Sequence, residues 1–222
     1  MPSSEKHQAS PYTGAPKSAP GPSMSEAGAP SGPPAPDYNT PRILHIYRDG
    51  ISHRHMTITD MDKSHPLYKM DQNAGTMFSS KPHMTITSAS GSTMGSATFH
   101  NSSRTIDLQL HEQPVAFESE GMFTRAYAYQ SPAFGERLRW ECEGIWGSDL
   151  VLVNGRKEWI ARFEASTFSM SKTGTIHVVH GGISGMALDE IMVSGCAMVE
   201  QQRRRRNSNG AASGGGAAAG GG

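Results

Sequence analysis

From Arg42 onward, apolar and polar residues alternate in short runs broken by Gly, Asn, Asp, Ser and Pro. Ile106, Leu108 and Leu110 alternate with Asp107 and Gln109, and Leu138, Trp140 and Cys142 with Arg137, Arg139 and Glu141. Trp159, Ala161 and Phe163 repeat the pattern against Arg162 and Glu164. A period of two puts one face of a strand in a core and the other in water, the habit of antiparallel sheet. The pattern predicts twelve strands, at 43–48, 55–59, 66–70, 83–88, 95–100, 105–111, 115–118, 125–130, 137–143, 149–153, 159–164 and 175–179. Spacings of about 8–14 residues between strands suit a meander or a barrel.

The pattern changes near the C-terminal end, in SGMALDEIMVSGCAMVEQQRRRR. This stretch predicts one helix over about 186–202, with Asp189 and Glu190 in or near its first turn and Arg203, Arg204, Arg205 and Arg206 after its last. Both charge groups carry the sign the helix dipole favours. Between them, residues 191–199 include only Ser194 as a polar side chain. At about 100° per residue, Leu188, Ile191, Met192, Gly195 and Val199 share one side while Val193 and Ala197 face the other. A helix apolar all round is buried in protein or lipid, and a membrane span needs about 20 apolar residues. The predicted core helix is therefore Leu188, Ile191, Met192, Val193, Cys196, Met198 and Val199, each burial worth about 1.5–3 kcal/mol. One-faced strands and an all-apolar helix are satisfied together by a closed antiparallel barrel around the helix, which also removes exposed sheet edges.

Composition sets the boundaries. Residues 1–41 hold ten of the chain's 14 prolines and almost no aliphatic side chains. Such a segment cannot offset its ordering entropy and is expected to be disordered, as is the Gly/Ala-rich 207–222. Residues 42–206 are expected to form one domain with its own core. Within 42–206 there are 18 basic and 17 acidic residues, so no broad basic face for nucleic acid is indicated. Cys142 and Cys196, both in apolar patterns, read as small buried hydrophobes and not as a disulfide framework. No signal-peptide pattern is visible at the N-terminus, and a cytoplasmic monomer is expected, with a peripheral membrane or nuclear fraction as the variant.

The domain resembles the Tubby C-terminal-like superfamily, which includes the LURP-one-related proteins and the phospholipid scramblases, and is most similar to a fungal branch of it. The likeness is carried by SKPHMTI (80–86), GSTMGSATFH (91–100), IDLQLH (106–111), RLRWECEGIWGSDL (137–150), EWIARFE (158–164) and LDEIMVSGCAMVEQQRRRR (188–206). The resemblance implies a twelve-stranded antiparallel barrel around a hydrophobic C-terminal helix. Tubby proteins hold phosphoinositide headgroups with clustered Lys and Arg, a motif without a residue-by-residue match here. The scramblases' calcium segment and cysteine-rich region have no counterpart either.

Catalytic and metal motifs are sparse. His53 and His55 could pair on one strand face, but no third or fourth ligand stands at zinc spacing, and a polar strand or turn is the reading. Gly182-Ile-Ser-Gly185 lacks the second spacer of a nucleophile elbow. No phosphate loop is present, and Asn101-Ser-Ser103 reads as a plain loop. No metal, cofactor or enzymatic activity is expected. The candidate anionic-ligand contacts are Arg203, Arg204, Arg205 and Arg206, helped by Lys157, Arg162, Lys172 or Lys81. A non-catalytic binding or scaffold module is expected, an adaptor for protein partners through its tails, where Pro30-Ser-Gly-Pro33 and Pro33-Pro-Ala-Pro36 have PxxP spacing. The alternative is binding of anionic phospholipid at a membrane surface, at about 1 kcal/mol per Arg.

Overall fold

A computed structural model describes residues 41–50, 54–73, 81–100, 105–121, 125–143, 148–167, 169–180 and 182–213. The expected disorder of 1–40, and the readings of His53 and of the 101–103 sequon, lie outside these residues. The strands are β1 (Arg42–Arg48), β2 (His55–Thr59), β3 (Pro66–Gln72), β4 (Met84–Ser88), β5 (Thr93–Phe99) and β6 (Thr105–Leu110). They continue with β7 (Gln113–Ser119), β8 (Tyr127–Gln130), β9 (Arg137–Glu143), β10 (Asp149–Val153), β11 (Trp159–Ala165) and β12 (Lys172–Val178). Each pairs antiparallel with its neighbours in sequence, and β1 pairs with β12 to close the barrel. The alternation expected from sequence is realised: Ile106, Leu108 and Leu110 are buried while Asp107 and Gln109 are exposed. The expected fold, a twelve-stranded antiparallel barrel with one C-terminal helix, is the fold observed.

The helix α1 (Met186–Ser213) occupies the barrel interior. Its neighbours come from opposite parts of the wall: Tyr68 of β3 reaches Asp189, while Tyr129 of β8 and Trp140 of β9 reach Ser194. Ile191, Met192, Val193 and Ala197 are completely buried, although they point in different directions around the helix. The wall comes close enough that a Cβ added at Gly95 of β5 would lie 2.9 Å from Val193 and 2.5 Å from the Gln109 carbonyl oxygen. Only glycine fits there.

Ser194 interrupts the apolar run for a reason visible only in three dimensions. Its Oγ accepts hydrogen bonds from Trp140 Nε1 (3.0 Å) and Tyr129 Oη (3.2 Å), both buried donors. A buried indole N–H or phenol O–H needs such a partner. Burial, with the nearby Glu190 carboxylate, pushes the Tyr129 phenol well above its ordinary pKa, so it stays protonated and donates.

Three details differ from the sequence reading. Trp159, expected on the buried face, is 47% exposed. Leu152 pairs with Ala161 but Val153 with Trp159, so Ile160 is an extra residue in a bulge and takes the inward position instead. Cys142, expected in the core, is only half-buried, because it sits near the end of β9 where the barrel opens. The helix also does not stop near residue 202. At about 1.5 Å per residue its 28 residues span about 42 Å, whereas a seven-residue strand rises about 23 Å. The C-terminal part therefore emerges from the barrel and carries the four arginines in mid-helix.

Ser194→Ala should leave two buried donors without an acceptor and lower the unfolding free energy by about 1–3 kcal/mol in urea denaturation. Gly95→Ala should cost about 1–3 kcal/mol by overpacking against α1, whereas Met192→Leu, similar in volume, should cost less than about 1.5 kcal/mol.

Candidate functional site

Two regions of the surface combine chemistry with shape. The first is the mouth through which α1 leaves the barrel. Here Glu200, 2% exposed, is surrounded by donors. Arg203 binds it through two nitrogens, Nε at 2.7 Å and Nη2 at 2.9 Å, and Arg204 Nε adds a contact at 2.8 Å. Gln72 Nε2 donates from β3 at 3.1 Å. A buried carboxylate demands such saturation, and the spacing of three and four residues places both arginines on its side of the helix. The Glu200 charge in turn raises the Arg203 pKa above its ordinary value. Arg204 lies over the Phe99 ring at 4.4 Å. Arg205 lies over the Tyr127 ring at 5.3 Å and donates to its oxygen at 2.8 Å. Arg206 is exposed.

These contacts correct the picture of one basic cluster. Lys81, just before β4, and Lys172, which opens β12, do share the helix-exit end with the arginines. Lys157 does not: it sits in the β10–β11 turn at the opposite end, in a left-handed conformation (φ 63°). Arg162 points outward from β11 among three carboxylates, Glu143 (3.2 Å), Glu164 (3.5 Å) and Asp149 (3.8 Å). Arg203 and Arg204 share the Glu200 charge. The complement to the helix dipole also falls away, because no basic residue stands in the helix's last turn. Glu200, Gln72, Phe99 and Tyr127 were missed from sequence; only Glu200 carried a signal, its spacing to the arginines.

A small cavity of about 40 Å³ lies inside this mouth, between α1 and strands β1, β2, β3 and β12. Ile46, Met56, Met70, Cys196 and Val199 give it apolar walls, and Arg48, Gln72 and Arg203 border it. Burial pushes the Cys196 thiol up to about 12, so it is a neutral wall element at ordinary pH.

The second region is the joint between β7 and β8. β7 pairs with β6 at six positions, from Thr105↔Glu118 to Leu110↔Gln113. It pairs with β8 at only two, Glu118↔Ala128 and Ser119↔Tyr127. Glu120 N donates to Ala126 O, so even-numbered residues of β7 turn their peptide groups toward β8. Pro114 falls on that parity and has no N–H to give, and Pro132 stands on the far side. The ladder ends, and a groove of about 450 Å³ opens along Pro114, Ala116, Gln130, Pro132 and Arg137. The strands stay joined on the inside, where the Phe117 and Tyr129 rings meet edge to face at 5.4 Å.

The described residues include no cluster of three or more metal-ligating side chains. No helix among them is long and apolar enough to cross a membrane. Residues 52–205, which take in eleven of the twelve strands and α1 as far as Arg205, match the model of DUF6593, a family of unknown function. The chain belongs to this family. Comparison with curated proteins and with solved structures gives no match. The DUF6593 match thus covers both the helix exit and the β7–β8 groove.

His83 gives the helix exit a pH dependence. Phe99 N donates to its Nδ1 at 3.1 Å, which requires that nitrogen to be unprotonated. Burial and the adjacent Arg204 lower its pKa below the ordinary 6.5. The unfolded chain therefore takes up this proton first as pH falls through about 6.5, and stability declines until the folded value is passed. The urea midpoint should fall between pH 7.5 and 5.5. His83→Asn, which offers an oxygen near the Nδ1 position and does not titrate, should fall less.

Proposed function

We propose that the chain is a non-catalytic intracellular binding module of the Tubby-like kind, an adaptor that takes an extended segment of a protein partner along β7. The sequence likeness and a twelve-stranded wall around a helix support the Tubby-like assignment. The observation that carries the adaptor reading is the interrupted β7–β8 ladder. The barrel interior is filled by α1, so a large partner must use the outside. The stretch of β7 left without a β8 partner borders a groove of about 450 Å³. An added strand would receive hydrogen bonds from the Ala116 peptide group and place alternate side chains in the groove. Pro114 limits how far such pairing runs, which keeps the edge from templating aggregation.

Anionic phospholipid at the helix exit is a second reading. It rests on the placement of Lys81, Lys172, Arg205 and Arg206 at that one end of the barrel.

Random-peptide phage selection on the full chain should enrich binders that pair with β7. Ala116→Pro removes a seam-facing N–H without touching the β6 ladder. It should weaken the enriched peptides at least about tenfold, equivalent to 1.4 kcal/mol, with little change in melting temperature. Peptides that bind this variant as well as the parent would overturn the reading. Sedimentation with phosphoinositide vesicles at about 50 mM salt, where charge is little screened, addresses the lipid reading. Binding there should drop in Arg205→Gln/Arg206→Gln, and no sedimentation of the parent protein would remove it.

A further inference from the structure

The cavity beside Glu200 has a composition that a packing defect would not need. A void lined only by aliphatic groups is a stability loss, and methionine is the side chain best able to collapse into one. Met56 and Met70 flank this cavity and leave it open. Its border is charged, and the charge is unbalanced. Among the described residues Glu200 is the only acidic one on it, and both its oxygens already accept two donors each, from Gln72, Arg203 and Arg204. Arg48 has no carboxylate within ion-pairing distance among the described residues, and its Nε donates to the neutral Thr173 hydroxyl at 3.3 Å. Arg203 also borders the cavity, so its lining carries two guanidinium groups against the one Glu200 carboxylate.

A buried apolar end and a net positive rim select one kind of small molecule. We propose that the cavity binds a short aliphatic monocarboxylate, its carboxylate on Arg48 and its alkyl end between Met56, Met70 and Val199. The guanidinium suits a carboxylate because its planar fork offers two parallel N–H groups. The volume of about 40 Å³ admits only a short chain, so affinity should rise with chain length and then stop. Each methylene that enters should add about fourfold. The site involves strands β1, β2, β3 and β12, on the other side of the wall from β7 and β8, so it stands or falls independently of peptide binding.

The test uses the full chain with methionine methyl groups labelled with carbon-13, titrated with acetate, butyrate, hexanoate and, as a neutral control, hexanol. Butyrate or hexanoate should shift the Met56 and Met70 methyl resonances saturably in the millimolar range, and acetate should bind more weakly. Hexanol should bind at least fivefold more weakly than hexanoate. Arg48→Gln should weaken the carboxylates about tenfold and leave hexanol unchanged. Val199→Phe should abolish the methyl shifts by filling the space. Hexanol binding as tightly as hexanoate would overturn the assignment of an anionic head. An absence of saturable shifts with every carboxylate would overturn the site itself. Both outcomes are read on the unmutated protein, so they do not depend on whether a variant folds.

Discussion

Everything in this barrel depends on enclosing a helix that has no polar face. An ordinary surface helix buries one stripe and leaves the rest to water. In α1 the fully buried Met192 and Val193 point about 100° apart, so the helix must be covered on several sides at once. Twelve strands with one apolar face each supply that cover, and closing β1 onto β12 leaves none of those faces without the helix to pack on. Alone, wall and helix would each leave apolar surface uncovered; together they cover it. Such mutual dependence favours cooperative folding, because neither part gains from forming first.

Burial without direction would let the helix slide or rotate, since apolar packing is tolerant of small shifts. Direction comes from polar groups placed at intervals along it. Asp189 takes the Tyr68 hydroxyl at 2.7 Å at one end, Ser194 takes two donors in the middle, and Glu200 takes four at the other end. Each is satisfied in one register and stranded in any other. A buried polar group that loses its partner costs about 1–3 kcal/mol, more if charged, so these three sites select one position of the helix among many of similar apolar burial.

The same logic explains why the arginines are poor evidence of a charged surface. A run of four looks like a solvated tag, but the helix rises out of the barrel with Glu200 on its buried side. Arg203 and Arg204 close over that carboxylate, and Phe99 and Tyr127 provide ring faces for Arg204 and Arg205. Much of the run is a lid on the barrel's open end. Features left for recognition are of another kind: a strand joint that prolines keep from closing, and a small apolar space beneath a cationic rim.

The amino-acid sequence by itself determined the elements. Period-two alternation located all twelve strands, with most bounds within two residues, and the all-apolar run from Ile191 to Val199 required a buried helix and hence a closed wall. These are local patterns, set by which side chains tolerate water. Tertiary structure decided whatever depends on residues far apart in the chain. The outward turn of Trp159 comes from a bulge against β10, and the placement of Lys157 away from the arginines from the direction of the β10–β11 hairpin. Neutralisation of Arg162 required strands β9 and β10 beside it. The open joint at β7 required Pro114 to face β8 instead of β6, a parity that only the register reveals. Hydrophobicity is a property of each residue and can be read along a line. Charge pairing, free strand edges and cavities are properties of neighbours, and neighbours exist only after the chain has closed on itself.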